Sequence, residues 1–181
     1  LMYAHKKASK LIHGLNRRHK VSIAINMSHV YAGDSSRLSR GSAQVIEYFR
    51  NYYVLSRLKK HCDFVGLNYY FEDPIFGYRI HNCQHDVGDG GWEMEPGHIQ
   101  YVIERISEKT KLPIMITENG VADIHDQYRM KWISETLKGI HAALKNGSEV
   151  IGYLHWSLLD NFEWHEGRWP RFGLVAVDYA T

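Results

Sequence analysis

The sequence predicts an α/β fold with a parallel sheet, on three observations. Segments with apolar residues at helical spacing alternate with short aliphatic runs, helix then strand, four times along the chain. Three of those runs end in polar or aromatic groups: Asn68-Tyr69-Tyr70, Glu118-Asn119 and Trp156. In parallel α/β folds, functional groups sit at the carboxyl ends of strands. Finally, neither GxGxxG nor GxxxxGK occurs, so a nucleotide-binding version of the fold loses support. At this level a doubly wound sheet and a (β/α)₈ barrel both fit.

The elements follow in order. Ala4, Ala8, Leu11 and Leu15 recur at helical spacing and predict a helix over Tyr3 to His19. "VSIAINM" (Val21 to Met27) predicts the first strand. Gly33, Asp34, Ser35 and Ser36 mark a polar loop. Ser42 is placed to cap a second helix reaching about Lys60, with Val45, Ile46, Phe49 and Tyr53 facing inward. "FVGLNYY" (Phe64 to Tyr70) is the second strand. Phe71 to Gly97 has no clear period and reads as a long loop of the kind that carries function. Ile99, Val102, Ile103 and Ile106 predict the third helix, and Ile114 to Thr117 the third strand. Ile133, Leu137, Ile140 and Leu144 predict the fourth helix, ended by Gly147. "VIGYLHW" (Val150 to Trp156) is the fourth strand.

Composition narrows the function classes. A net charge of +2 over 181 residues gives no footprint for a nucleic acid or an anionic membrane. No apolar run approaches the roughly 18 residues of a membrane helix, and "LMYAHKKASK" is not a secretory signal. Cys62 and Cys83 are too few for a disulfide framework, and a reducing, cytoplasmic setting is expected. His81, Cys83 and His85 alternate, but the spacing is not a usual zinc pattern, so no metal and no cofactor is expected. Four of the five Trp follow residue 130, which suits either a thick core or a surface that stacks on sugar rings. In "WSLLDNFEWHEGRW", Asp160, Glu163 and Glu166 interleave with aromatics, an unsuitable pattern for a core without partners for the carboxylates.

"DFVGLNYY", "GWEMEPG", "PIMITENG" and "GYLHWSLLDNFEWHEGRWPRFGLVAVDY", in that order, resemble the signature segments of glycoside hydrolase family 1, the retaining β-glucosidases and β-glycosidases. The resemblance covers essentially the whole chain and is weakest over 28–41 and 71–90. It implies a (β/α)₈ barrel, of which these four strands would be strands five to eight. Residues 1–181 would then be one partial domain, the C-terminal half of the barrel.

The resemblance also implies roles. Glu118 matches the catalytic nucleophile, Tyr70 the tyrosine that holds it, and Asn68 a polar residue lining the catalytic centre. Trp156 matches the tryptophan floor under the sugar. Glu163 and Trp164 match the pair that reads the sugar's outer hydroxyls. Phe172 matches an aromatic wall, and Trp92 one near the aglycone. Such an enzyme attacks the anomeric carbon with an ionised carboxylate while a second carboxyl protonates the leaving oxygen. A hydroxyl beside the nucleophile favours its charged form.

One part is missing. The family's acid/base glutamate lies in an Asn-Glu-Pro segment after the fourth strand, and no Asn-Glu-Pro occurs here. Glu95-Pro96 follows Met94 and belongs to "GWEMEPG". Leu1 falls in what resembles the helix after the fourth strand, and Thr181 precedes the family's last helix. The expectation is therefore a fragment, whose partners are a β-glycoside or oligosaccharide and either the missing N-terminal half-barrel or another copy. It is a β-glycosidase piece that is incomplete alone, or a non-catalytic half-barrel that only binds sugar or associates. The glycone stays open among glucose, galactose and fucose. "NFEWHEG" lacks the basic pair expected for a 6-phospho sugar.

Overall fold

The aliphatic runs become the strands of one parallel sheet. The computed structural model describes residues 1–82 and 86–180. In chain order the elements are α1 (Met2–Leu15), β1 (Ala24–Asn26), β2 (His29–Ala32), α2 (Arg37–Glu47), α3 (Tyr53–Leu58), β3 (Val65–Tyr69), β4 (Glu72–Phe76), β5 (Arg79–Ile80), α4 (Ile99–Thr110), β6 (Ile114–Asn119), α5 (Arg129–Lys145) and β7 (Val150–Tyr153). The main sheet runs β1-β3-β6-β7, all parallel. Strand order follows chain order with helices between successive strands. A doubly wound sheet reverses its order at a switch point, and a barrel does not. The order is that of a barrel segment.

The core lies between this sheet and its helices. Val65, Leu67, Tyr69, Ile114 and Ile116 are buried against Leu55 of α3, Ile99, Val102, Ile103 and Ile106 of α4, and Ile140 and Ala143 of α5. Each large aliphatic side chain buried here stabilises the fold by about 1.5–3 kcal/mol. The α4 face matches its sequence period.

Elsewhere the sequence period misleads. In α1, Leu11 and Leu15 are exposed. The face that packs carries Ser9, with His5 contacting the His61 carbonyl and His13 contacting Asp63. The second helix is capped six residues before Ser42, at Ser36, whose Oγ accepts the Ser39 N–H. A wide π-helical turn over Tyr48–Tyr52 then shifts its phase. Ser39, Ala43, Tyr52, Leu55 and Leu58 face inward, while Val45 and Phe49 are exposed. In α5 the buried face is Trp132, Thr136, Gly139, Ile140 and Ala143, and Leu137 and Leu144 are exposed. Gly139 sets this phase: a Cβ there would lie 2.5 Å from the Gly97 carbonyl oxygen, so only glycine lets the helix approach the turn at Pro96–His98.

The stretch just before the Gly33 loop and the long segment from Phe71 together hold a second sheet, β2-β4-β5. Here β2 runs parallel to β4, with His29 opposite Glu72, and β5 returns antiparallel. "EDPIF" opens with two acids and a proline, which reads as a loop. Both acids are nonetheless buried and paired. Asp73 accepts from Ser28 Oγ and from Arg50 Nε, the latter at 2.9 Å. Of the alternating His81, Cys83 and His85, the last two lie outside the described residues.

Candidate active site

The carboxyl ends of β3, β6 and β7 meet on one edge of the main sheet. Between β3 and β6 the register slips after Leu67, so that Glu118 pairs with Asn68 and Asn119 with Tyr69. The skipped Thr117 donates its hydroxyl to Asn68 Oδ1 at 2.6 Å. Tyr70, one residue beyond β3, reaches across and donates its hydroxyl to Glu118 Oε2 at 2.6 Å. Burial, and then the hydrogen bond to Glu118, push the Tyr70 phenol well above its ordinary range, so it stays a proton donor.

Asn119, beside this carboxylate, is a structural hub. It is the last residue of β6 and fully buried. Its Nδ2 donates to the Tyr69 carbonyl at 2.7 Å. Its Oδ1 accepts from Trp132 Nε1 at 3.0 Å and from Tyr153 Oη at 3.1 Å. Its carbonyl accepts the Trp156 N–H at 2.9 Å. The chain leaves at Gly120, where a Cβ would lie 1.8 Å from the Trp156 carbonyl oxygen. No local sequence signal marks Asn119 as the junction of β3, α5 and β7, since its donors lie 13 and 34 residues away.

Aromatic rings line this carboxylate. Tyr70 and Phe172 pack with Ala122, and Trp156 packs against them. Phe172 meets Tyr70 edge-on at 6.1 Å, and Trp92, about half exposed, lies tilted 6.2 Å from Tyr70. Trp156 Nε1 donates to Glu163 Oε1 at 3.0 Å, and Asn161 Nδ2 donates to the same oxygen at 2.7 Å. Glu163 also closes a tight turn, its N–H bonding the Gly167 carbonyl at 2.7 Å. The structure thus brings together Asn68, Tyr70, Trp92, Glu118, Trp156, Glu163 and Phe172. Trp164 stands apart, 88% exposed beside Phe162 and His165.

The carboxylates of the last segment have separate roles. Asp160 is a buried anchor. It accepts from the N–H groups of Gly173 (2.9 Å) and Val177 (3.1 Å) and from Arg171 (3.0 Å). Burial raises its pKa, but these donors outweigh it and hold the carboxyl below the ordinary value. Glu166 is at the surface, paired with His165 at 3.0 Å and accepting from Trp169 Nε1 at 3.2 Å. A third carboxylate, Asp123, holds the entry to α5 through the N–H groups of Gln127, Tyr128 and Arg129.

Both the sequence and the fold of this chain are similar to those of known proteins. Residues 53–181 match the sequence profile of Glycosyl hydrolase family 1. The chain is 34% identical over 178 residues to β-glucosidase A of Thermotoga maritima, covering 86% of this chain and 39% of that protein. It is 35% identical over 145 residues to a β-galactosidase of Saccharolobus solfataricus, covering 71% of this chain and 30% of that one. A solved structure of the Thermotoga maritima β-glucosidase in complex with glucoimidazole superposes with a TM-score of 0.91 at 26% identity, covering 99% of this chain and 51% of that one. A β-glycosidase from Pyrococcus horikoshii gives 0.90 at 29% identity, covering 99% and 47%. The chain spans less than half the length of these two sequence relatives. The fold is accordingly a partial (β/α)₈ barrel, and the chain belongs to glycosyl hydrolase family 1.

Proposed function

We propose that this chain carries the nucleophile half of a retaining β-glycosidase that removes terminal non-reducing β-D-glycosyl residues. Residues 1–181 form one partial domain in this reading. The observation that carries it is the 2.6 Å hydrogen bond from Tyr70 to Glu118 at the carboxyl edge of a parallel sheet. Glu118 attacks the anomeric carbon, and the glycosidic C–O bond breaks with its electron pair leaving on oxygen. A glycosyl ester on Glu118 results, and water then releases the sugar and restores the carboxylate. Tyr70 fixes the attacking group, and Asn68 lines the centre. Trp156 and Phe172 offer flat apolar faces to the ring, Glu163 meets its outer hydroxyls, and Trp92 borders the aglycone; Trp164, which stands apart in this chain, would join Glu163 only by turning inward around a bound sugar.

The proton for the leaving oxygen comes from outside this set. Glu163 is held by Trp156 and Asn161, and Asp160 by Arg171, so neither is assigned as acid/base. A complementary half-barrel supplies that group in the working protein. A cytoplasmic setting belongs to the same reading and rests on the cysteine content. Among the described residues no helix is long and apolar enough to cross a membrane.

The test is labelling with 2-deoxy-2-fluoroglucosyl fluoride, followed by intact mass and peptide mapping. Fluoride leaves without protonation, so the missing acid is not needed for the first step. An adduct on Glu118, absent from Glu118→Gln, is the expected result. A folded sample with no adduct in the presence of its complementary half would favour the non-catalytic reading.

A further inference from the structure

Three chemistry-bearing side chains outside the main site come together from distant parts of the chain. His29 opens β2, Glu72 opens β4, and His98 ends the short 3₁₀ turn at Pro96–His98 that leads into α4. The parallel pairing of β2 and β4 sets His29 against Glu72. Both imidazole Nδ1 atoms aim at one oxygen, Glu72 Oε2, from 2.6 Å (His98) and 3.3 Å (His29). The other oxygen, Oε1, accepts from Tyr31 Oη at 3.1 Å. The Glu72 side chain is 1% exposed, whereas His29 and His98 are 22% and 37% exposed. One ligating atom from each of the three lies within 4.8 Å of the others.

Two imidazoles and one carboxylate are the donor set of zinc, cobalt and nickel rather than of magnesium or calcium. Zinc takes nitrogen and oxygen ligands at about 2.0–2.2 Å, so tetrahedral ligand atoms stand roughly 3.3 Å apart. The His29–Glu72 pair already has that spacing at 3.3 Å, and His98, starting from 2.6 Å, must open by less than an ångström. The His98 ring is partly exposed and rests against the rings of His29 and Tyr101. Tyr31 holds the carboxylate from behind, as outer partners do for metal-binding carboxylates. The open side lies toward the two imidazoles, where water can enter. Two hydrogen bonds to one carboxylate oxygen are ordinary, and what marks this cluster is that two imidazole nitrogens and a buried carboxylate converge from three separate segments.

We propose that His29, Glu72 and His98 bind one divalent transition-metal ion of the zinc class, with water completing its coordination. This departs from the expectation that the chain takes no metal. The ion would join β2, β4 and the entry to α4. Its neighbours would be Tyr31 and Tyr101, and no step at Glu118 would pass through it.

The test is titration of Zn²⁺ alone, and separately Co²⁺, into the full chain, read by calorimetry and visible absorption. The expected result is one site whose affinity falls about 100-fold or more in His29→Ala, in His98→Ala and in the near-isosteric Glu72→Gln. The Co²⁺ absorption bands would disappear in the same variants. His5→Ala and His81→Ala should leave affinity and spectrum unchanged. If a histidine variant loses its fold by circular dichroism, Glu72→Gln and the ¹⁵N shifts of His29 and His98 Nδ1 in the unaltered chain decide. Undiminished binding in Glu72→Gln, unmoved Nδ1 resonances, or no binding by the unaltered chain would each overturn the proposal.

Discussion

The two sheets hold together by different forces. The four-stranded sheet is apolar: Leu67, Ile114 and Ile116 are fully buried and packed on helices. The three-stranded sheet has a small apolar cluster of Val30, Ala43 and Ile75, and its parallel pair is fastened by buried acids. Asp73 is held by Ser28 and Arg50, and Glu72 by His29, His98 and Tyr31. Burial alone would lift the Glu72 carboxyl, but hydrogen bonds from the two histidines outweigh it and bring its pKa to about 2. Apolar burial tolerates many sequences with the right period. A buried carboxylate tolerates only those that keep its partners.

The largest effect that separates the sheets is expected from Ile116→Ala, which removes fully buried volume. It should cost about 2–5 kcal/mol in urea unfolding, with the whole transition moving together. Arg50→Met strips the cation from Asp73 and should cost about 1–3 kcal/mol. Adding Asp73→Asn to that variant should return part of the loss, because the unpaired charge is then gone. If the two changes simply add, the pair is not coupled and the contrast between the sheets fails.

A smaller effect is expected from Asp160→Asn, about 1–2 kcal/mol at neutral pH. Since the folded pKa of Asp160 is depressed, its contribution is present above the unfolded value of about 3.9. It is lost as pH falls through the lower folded value. The gap between variant and parent should therefore close on acidification, measured by thermal melts across that range. Least of all, Val45→Ser and Leu137→Ser should change stability by no more than about 0.5 kcal/mol, because both side chains stand exposed. A larger loss would mean that those faces are covered in solution.

The same contrast explains what could be read in advance. Strands from Phe64, Ile114 and Val150 and the α4 face were legible because apolar period reports apolar burial directly. The pairing of Tyr70 with Glu118 was legible only through resemblance, since 48 residues separate them. The second sheet was not legible. Its strands carry His, Glu, Asp and Pro, and their burial depends on partners from other segments. The second and fourth helices depart from their apolar stripes for local reasons: a π-helical turn at Tyr48–Tyr52 breaks the period of the second, and the close contact at Gly139 fixes the face of the fourth. Asp160 gave no sign of a buried role because Arg171, the partner that allows it, lies 11 residues on.

Asn119 uses its amide, its side-chain oxygen and its carbonyl at once. The backbone beside Glu118 is therefore locked to three neighbouring elements, and the Glu118 side chain itself is steadied by Tyr70. An incoming molecule meets a carboxylate whose reach is already bounded by about two rotatable bonds before the carboxyl group. Under the proposed function, the ordering that attack by Glu118 would demand is done once, when the chain folds, and is not repeated at each encounter.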